Sequence, residues 1–246
     1  MTITVDTVAD GVHAVIGRLV NWLVLIDGTD VTLIDTGYPG DHVDVEASIH
    51  SLGRKVEDVR AVLITHAHID HVGNADHITQ VSNATAYAHP AELAQLRGEV
   101  KHQVSPGALA KQLLRPGVSP WLARAVRNGG AKQPTAVAQA FDVSGAPLDV
   151  PGHPVPIATP GHTPGSCCFY LPQHGIIASG DSLITAHPTT SRQGPQLITP
   201  MFQNDEDEAR RSLSALASLD GDVLVPGHGP VHHGSIAKAA EVATTT

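Results

Sequence analysis

Aromatic side chains are scarce in this sequence: three Phe, two Trp and three Tyr make up 3% of 246 residues. A core must therefore be built from Val, Ile, Leu and Ala, and an apolar fraction of 41% allows that without covalent staples. Cysteine is scarcer still. Cys167 and Cys168 stand side by side, and no CxxC pair exists to bind a metal through sulfur. Neighbours on a strand point to opposite faces, so both are expected as small, unbridged core residues. No run of Lys or Arg is longer than a pair, as at Arg210–Arg211, and the net charge is −9 with His neutral. A surface of that sign repels phosphate backbones, which argues against nucleic acid and equally against an anionic membrane. The longest apolar stretch, LVNWLVLIDGTDVTLI, is broken by Asp27 and Asp30 and is too interrupted to span a bilayer. The opening MTITVDTVADGVH has no basic segment followed by an apolar one. A cytoplasmic, reduced protein acting on a small molecule is therefore expected.

Histidine, by contrast, is plentiful, with 16 copies. Five short apolar runs recur along the chain: VTLI, AVLI, VPIA, GIIA and DVLV. Their length and β-branched content predict strands buried on both faces. Each is followed by residues of metal-binding type. Asp35 follows the first, His66, His68, Asp70 and His71 the second, His162 the third, Asp181 the fourth and His228 the fifth. Helical stretches lie between the runs, at Asp44–Gly53, Ala91–Arg97 and Asp205–Leu219, the last with an acidic first turn. Strands and helices thus alternate, and sites in such sheets are commonly built from loops at one end of the strands. LIDTG followed by AVLITHAH loosely resembles the later GIIASGD followed by DVLVPGH, as if two similar halves met at the site.

In THAHIDH the alternate residues His66, His68 and Asp70 are expected to face one way, with His71 turning away with the chain. Four ligands from one loop crowd a single ion, so two ions are the more natural arrangement, with His162, Asp181 and His228 as further ligands. The turns TPGHTPG and VPGHGP hold a histidine in rigid backbone at small entropic cost.

The motifs LIDTG, THAHIDHVGN, TPGHTPGS, ASGDSL and VPGHGP, in this order and spacing, resemble the metallo-β-lactamase superfamily across nearly the whole chain. The resemblance implies an α/β fold, a four-layer αββα sandwich, in one domain spanning residues 1–246. It further implies that His66, His68 and His162 hold one metal and Asp70, His71 and His228 a second, with Asp181 bridging them and Asp35 supporting the ligand loop. Two divalent ions, zinc foremost, with manganese or iron as alternatives, would then acidify a shared water. Asp70 would be the catalytic residue that orients it or passes its proton to the leaving group. The reaction implied is hydrolysis of an ester, lactone, thioester or amide.

Several family activities fit less well. A β-lactamase usually needs export, and a glyoxalase II-type thioesterase carries a helical C-terminal domain, whereas only GPVHHGSIAKAAEVATTT follows His228. A nuclease is disfavoured by the acidic balance. The alternative from another class is a mononuclear iron persulfide dioxygenase, in which His71 and His228 would be idle. A non-catalytic metal-binding module ranks last.

The segment from about 93 to 141 carries no strong strand but has helical pieces separated by SPG, RPGVSP and NGGAKQP. It is expected as a helical insertion serving as a lid over the pocket, or as a packing appendage. His153, placed before its strand, is expected as a turn residue, and His232 and His233 as exposed. His187 follows Asp181 closely enough to reach the site. Thr65 and Ser182 flank ligand positions.

Overall fold

The computed structural model describes residues 3–101, 104 and 106–245. Seven strands form the first sheet in chain order: β1 (Thr4–Ala9), β2 (Val12–Ile16), β3 (Asn21–Asp27), β4 (Asp30–Ile34), β5 (Val59–Leu63), β6 (Thr85–Ala88) and β7 (Ala138–Ala140). Pairing is antiparallel from β1 to β4 and parallel from β4 to β7. The second sheet runs β12-β11-β10-β9-β8, built from β8 (Val155–Ala158), β9 (Cys167–Leu171), β10 (Ile176–Gly180), β11 (Val223–Pro226) and β12 (His232–His233). Here β10 and β11 are parallel and the other neighbours antiparallel.

Side-chain alternation turns these two sheets into four layers. Along β3, Leu23 and Leu25 face the second sheet, while Trp22 and Val24 face outward onto helices α1 (His42–Ser51) and α3 (Ala75–Ser82). Along β10, Ile176 and Ala178 join the core between the sheets, and Ile177 packs outward. Its outer partners come from Leu213, Leu216 and helix α8 (Ile236–Thr244). Burying one such Leu, Ile or Phe contributes about 1.5–3 kcal/mol, so the alternation itself fixes the register. Cys167 and Cys168 follow the same rule: one lies between the sheets, the other under α8, and both are free thiols. The order helix, sheet, sheet, helix is the αββα sandwich.

All five apolar runs are strands, but VPIA, at the edge of its sheet, is not buried on both faces: Pro156 alone is buried and Ala158 is exposed. The helices differ from expectation at their ends. Asp205 caps α7 (Glu206–Ser212) by accepting from the Glu208 N–H at 2.9 Å, but the chain tightens into a 3-10 turn at Leu213–Leu216 instead of continuing to Leu219. The 91–97 stretch splits into a 3-10 turn at Pro90–Glu92 and the single turn α4 (Leu93–Leu96). Between 93 and 141 lie α5 (Pro106–Ala110), α6 (Val118–Arg127) and the edge strand β7, whose sequence AQA has too little apolar content to announce itself. His153 follows a turn with φ 44°, and His232 is half-buried in β12 instead of exposed. Among the described residues no helix is long and apolar enough to cross a membrane.

Candidate metal centre

Because β4 and β5 are parallel, as are β10 and β11, while β8 runs with β10 through antiparallel β9, these strands deliver their following loops to one edge of the sandwich. Asp35, the His66–His71 loop, His162, Asp181 and His228 all meet there. Backbone bonds pin the loops across the two sheets, from Cys167 N–H to Thr65 O (3.0 Å) and from Asn21 N–H to Gly227 O (2.8 Å).

The atoms that could hold a metal ion include two adjoining groups, with Asp181 also close to His66 and His71. His66 Nε2 lies 3.1 Å from His68 Nδ1 and 3.2 Å from His162 Nε2, and the latter two are 2.9 Å apart. Ligand nitrogens about 2.0–2.1 Å from a tetrahedral ion are separated by roughly 3.3 Å, so this triangle has the size of a coordination face. The second group holds Asp70, His71 and His228, with His228 Nε2 3.5 Å from Asp70 Oδ2. Asp181 stands between them: Oδ2 is 3.6 Å from His162 Nε2 and 3.3 Å from His228 Nε2, and Oδ1 is 3.3 Å from His71 Nε2. Asp70 therefore does not face the same way as His66 and His68. The backbone turns helical at α2 (Ile69–Val72), which swings Asp70 to the side of His71.

Hydrogen bonds behind the rings set their tautomers. His228 Nδ1–H donates to Leu19 O at 2.6 Å, leaving Nε2 for the cluster. His71 Nδ1 donates to Asp35 Oδ2 at 2.7 Å. The Thr65 hydroxyl also donates to Asp35 Oδ2 (2.7 Å) and lies 3.1 Å from His66 Nδ1, whose N–H it can accept. Asp35 takes these partners from a left-handed backbone, φ 63°, that a non-glycine residue rarely adopts; such strain concentrates at functional sites.

Burial, with His71, His162 and His68 close by, holds the His66 pKa well below its ordinary value, and burial with His68 lowers His162 to about 3. Both rings are thus neutral, the form that binds a cation. At His228 burial also depresses the pKa, but Asp181 and Asp70 outweigh it and lift the value to about 10. The carboxylates demand positive charge at this point. His71 Nε2 and Asp181 Oδ1 are both buried without a hydrogen-bond partner. Two such atoms 3.3 Å apart, in a set of imidazole nitrogens and carboxylate oxygens, fit a borderline divalent cation.

One brace has no counterpart in the sequence pattern. The Glu92 carboxylate is buried and accepts from Ala67 N–H (2.7 Å), between His66 and His68. It also accepts from the Thr163 hydroxyl (2.8 Å) and Gly165 N–H (2.7 Å) beside His162. One side chain therefore clamps both loops that supply the first triangle. Tyr38, buried on the loop after β4, lines the cleft with Asp70; burial first, then the Asp70 charge, push its phenol pKa well up.

A cleft of about 140 Å³ opens onto the cluster, walled by Tyr38, Ile69, Trp121, Leu122, Ile198 and Phe202. Three of the eight Phe, Trp and Tyr residues of the chain stand in this one wall. Among the described residues no lysine or arginine lines it. His187 is buried here as well, 4.9 Å from the His228 ring and 5.3 Å from Trp121, with burial lowering its pKa to about 3.

A sandwich of this topology with a His/Asp cluster at the strand ends defines a class. The model of the metallo-beta-lactamase superfamily matches residues 15–228, and the chain belongs to that superfamily. It is 26% identical over 244 residues to the probable metallo-hydrolase YflN of Bacillus subtilis, covering 90% of this chain and 84% of the relative. Among solved structures it is similar to the metallo-beta-lactamase family protein TTHA1429 of Thermus thermophilus, with TM-score 0.66 and 22% identity over 97% of this chain and 80% of that one. The subclass B3 metallo-beta-lactamase BJP-1 of Bradyrhizobium japonicum has TM-score 0.67 and 18% identity, covering 99% and 92%. At these identities the structural likeness speaks for the fold alone.

Proposed function

We propose that this protein is a hydrolase with a dinuclear divalent-metal site that cleaves esters, lactones or thioesters of an uncharged, apolar acyl group. The observation that carries the reading is the position of Asp181, within 3.3–3.6 Å of ring nitrogens from both groups. His66, His68 and His162 would hold one ion and Asp70, His71 and His228 the other, with Asp181 shared. When bound, divalent cations there supply Lewis acidity and lower the pKa of a water from 15.7 toward about 7.

The side chains divide the remaining work. Asp70 lines the cleft with 15% of its side chain exposed, so its carboxylate can take a proton from a nucleophile and release it to the leaving group. Ile69, Leu122, Trp121 and Phe202 offer an acyl chain an apolar wall and exclude water from it. With no lysine or arginine among the described residues of that wall, a substrate carboxylate or phosphate lying against it, away from the metal positions, finds no charged partner. Small neutral acyl compounds therefore suit it better than β-lactams, glutathione thioesters or phosphodiesters.

A panel of acetyl to decanoyl esters, lactones, thioesters, a chromogenic cephalosporin and a phosphodiester tests this. Rates should rise with acyl length, and the cephalosporin and phosphodiester should be poor. Preference for either of the last two would refute the substrate class. Oxygen consumption with a persulfide would replace hydrolysis by the iron dioxygenase reading.

A further inference from the structure

The net charge of −9 conceals two unlike parts. Between residues 93 and 141 stand seven of the chain's 15 Lys and Arg but only one of its 24 Asp and Glu, so this segment carries +6 and the remainder −15. Its single carboxylate, Glu99, is taken by Arg97 at 2.6 Å. The other six cations, Lys101, Lys111, Arg115, Arg124, Arg127 and Lys132, are exposed, and none joins an ion pair among the described residues.

The same segment holds five of the eight large apolar side chains exposed among the described residues: Val100, Leu113, Leu114, Val126 and Val137. Leu114 is 98% exposed and sits between Lys111 and Arg115. Helix α6 then has two distinct faces. Val118, Trp121 and Ala125 are buried, and Trp121 and Ala125 wall the cleft; Arg124 and Arg127 point to solvent. Val126, 51% exposed, lines the cleft and lies at its rim. Exposed Leu113 and Leu114, flanked by cations that join no ion pair among the described residues, match a surface with anionic headgroups over hydrocarbon.

We propose that the 93–141 segment is a docking surface for an anionic lipid interface, with Leu113 and Leu114 entering the headgroup layer and the six cations resting on phosphates. The acidic remainder of the protein is repelled by the same surface, which orients the molecule with its cleft rim toward the lipid. An acyl substrate that partitions into the bilayer then meets the cleft at its source, a consequence resting on the apolar-acyl reading above. Docking itself does not depend on that reading.

The test is cosedimentation of the full-length protein with vesicles of phosphatidylglycerol and phosphatidylcholine, or of phosphatidylcholine alone, at about 50 mM salt and again at about 500 mM. Binding is expected to the anionic vesicles only, and release at high salt. The triple variant Lys111→Glu, Arg115→Glu, Arg124→Glu should bind at least about 100-fold more weakly, given roughly fivefold per neutralised charge. Leu114→Ser should weaken binding as well. Both variants should hydrolyse a water-soluble short-chain ester at the wild-type rate, which shows that they fold. Indifference of the wild type to anionic vesicles, or equal binding by the triple variant, overturns the proposal. So does capture by polyglutamate with vesicles ignored, which would assign the surface to an acidic protein. Vesicle binding without activity on any ester would leave the docking surface standing and remove the acyl-hydrolase reading.

Discussion

Asp35 Oδ2 lies 2.7 Å from His71 Nδ1 and 2.7 Å from the Thr65 hydroxyl, which in turn faces His66 Nδ1. One carboxylate outside the cluster therefore fixes the tautomer of one ring in each ligand group. Asp35→Asn has one accepting oxygen where the carboxylate has two: with it at the Oδ2 position the amide N–H groups face the Thr65 backbone N–H that now donates to Oδ1 (2.9 Å), and flipped they face His71 and the Thr65 hydroxyl. Metal affinity is expected to fall about 10- to 100-fold, with the far-ultraviolet circular dichroism spectrum unchanged. Chelator competition measures it, and an unchanged affinity would show that Asp35 plays no part in orienting the rings.

Glu92 satisfies three donors from two loops. In Glu92→Ala the Ala67 and Gly165 N–H groups stay buried without partners, each costing about 1–3 kcal/mol. A total near 3 kcal/mol corresponds to roughly 6–12 °C in Tm for a protein of this size. Differential scanning calorimetry is the check. Metal affinity should drop together with Tm, because the same loops carry His66, His68 and His162.

Gly227 precedes His228, and a Cβ placed on it would stand 2.5 Å from Asp181 Oδ1 and 2.8 Å from His71 Cε1. Neither neighbour can retreat without leaving the cluster. Gly227→Ala should displace a ligand by several tenths of an ångström and lower kcat about 100-fold, while the sandwich still folds. Wild-type turnover in this variant would mean that the cluster tolerates a rearrangement its packing forbids.

Trp121 packs edge-to-face against Phe202 and His187, with ring centroids 5.5 and 5.3 Å away, and walls the cleft. Trp121→Ala should reduce kcat/KM for an octanoyl ester about 10- to 100-fold more than for an acetyl ester, the burial lost being about 1.5–3 kcal/mol. The ratio between the two substrates separates this from general destabilisation. An equal loss on both would place Trp121 in the scaffold alone.

What the sequence reveals here depends on how local the physics is. VTLI, AVLI, VPIA, GIIA and DVLV read as strands because their β-branched content and continuous apolarity are local properties, while the partial exposure of VPIA follows from its place at the sheet edge, which is not local. The residues after each strand are equally local, so Asp35, His66, His68, His162, Asp181 and His228 can be assigned to strand ends from the sequence alone. The sidedness of Asp70 departs from the alternation expected of it because helix α2 starts at Ile69, where strand geometry no longer applies. Glu92 is invisible in the sequence: in HPAEL it reads as an ordinary first-turn acid, and its partners are 25 to 73 residues away. The whole-chain charge is uninformative in a similar way, since a sum cannot show that its terms are segregated.

Seven side chains from the ends of four strands are proposed to hold two cations. Elemental analysis of the purified protein, with Asp181→Ala beside it, tests this most directly. The expected result is two divalent ions per wild-type chain, most of them zinc, and one or none in the variant, with hydrolysis lost in parallel. A single iron per chain, retained in Asp181→Ala, would contradict it.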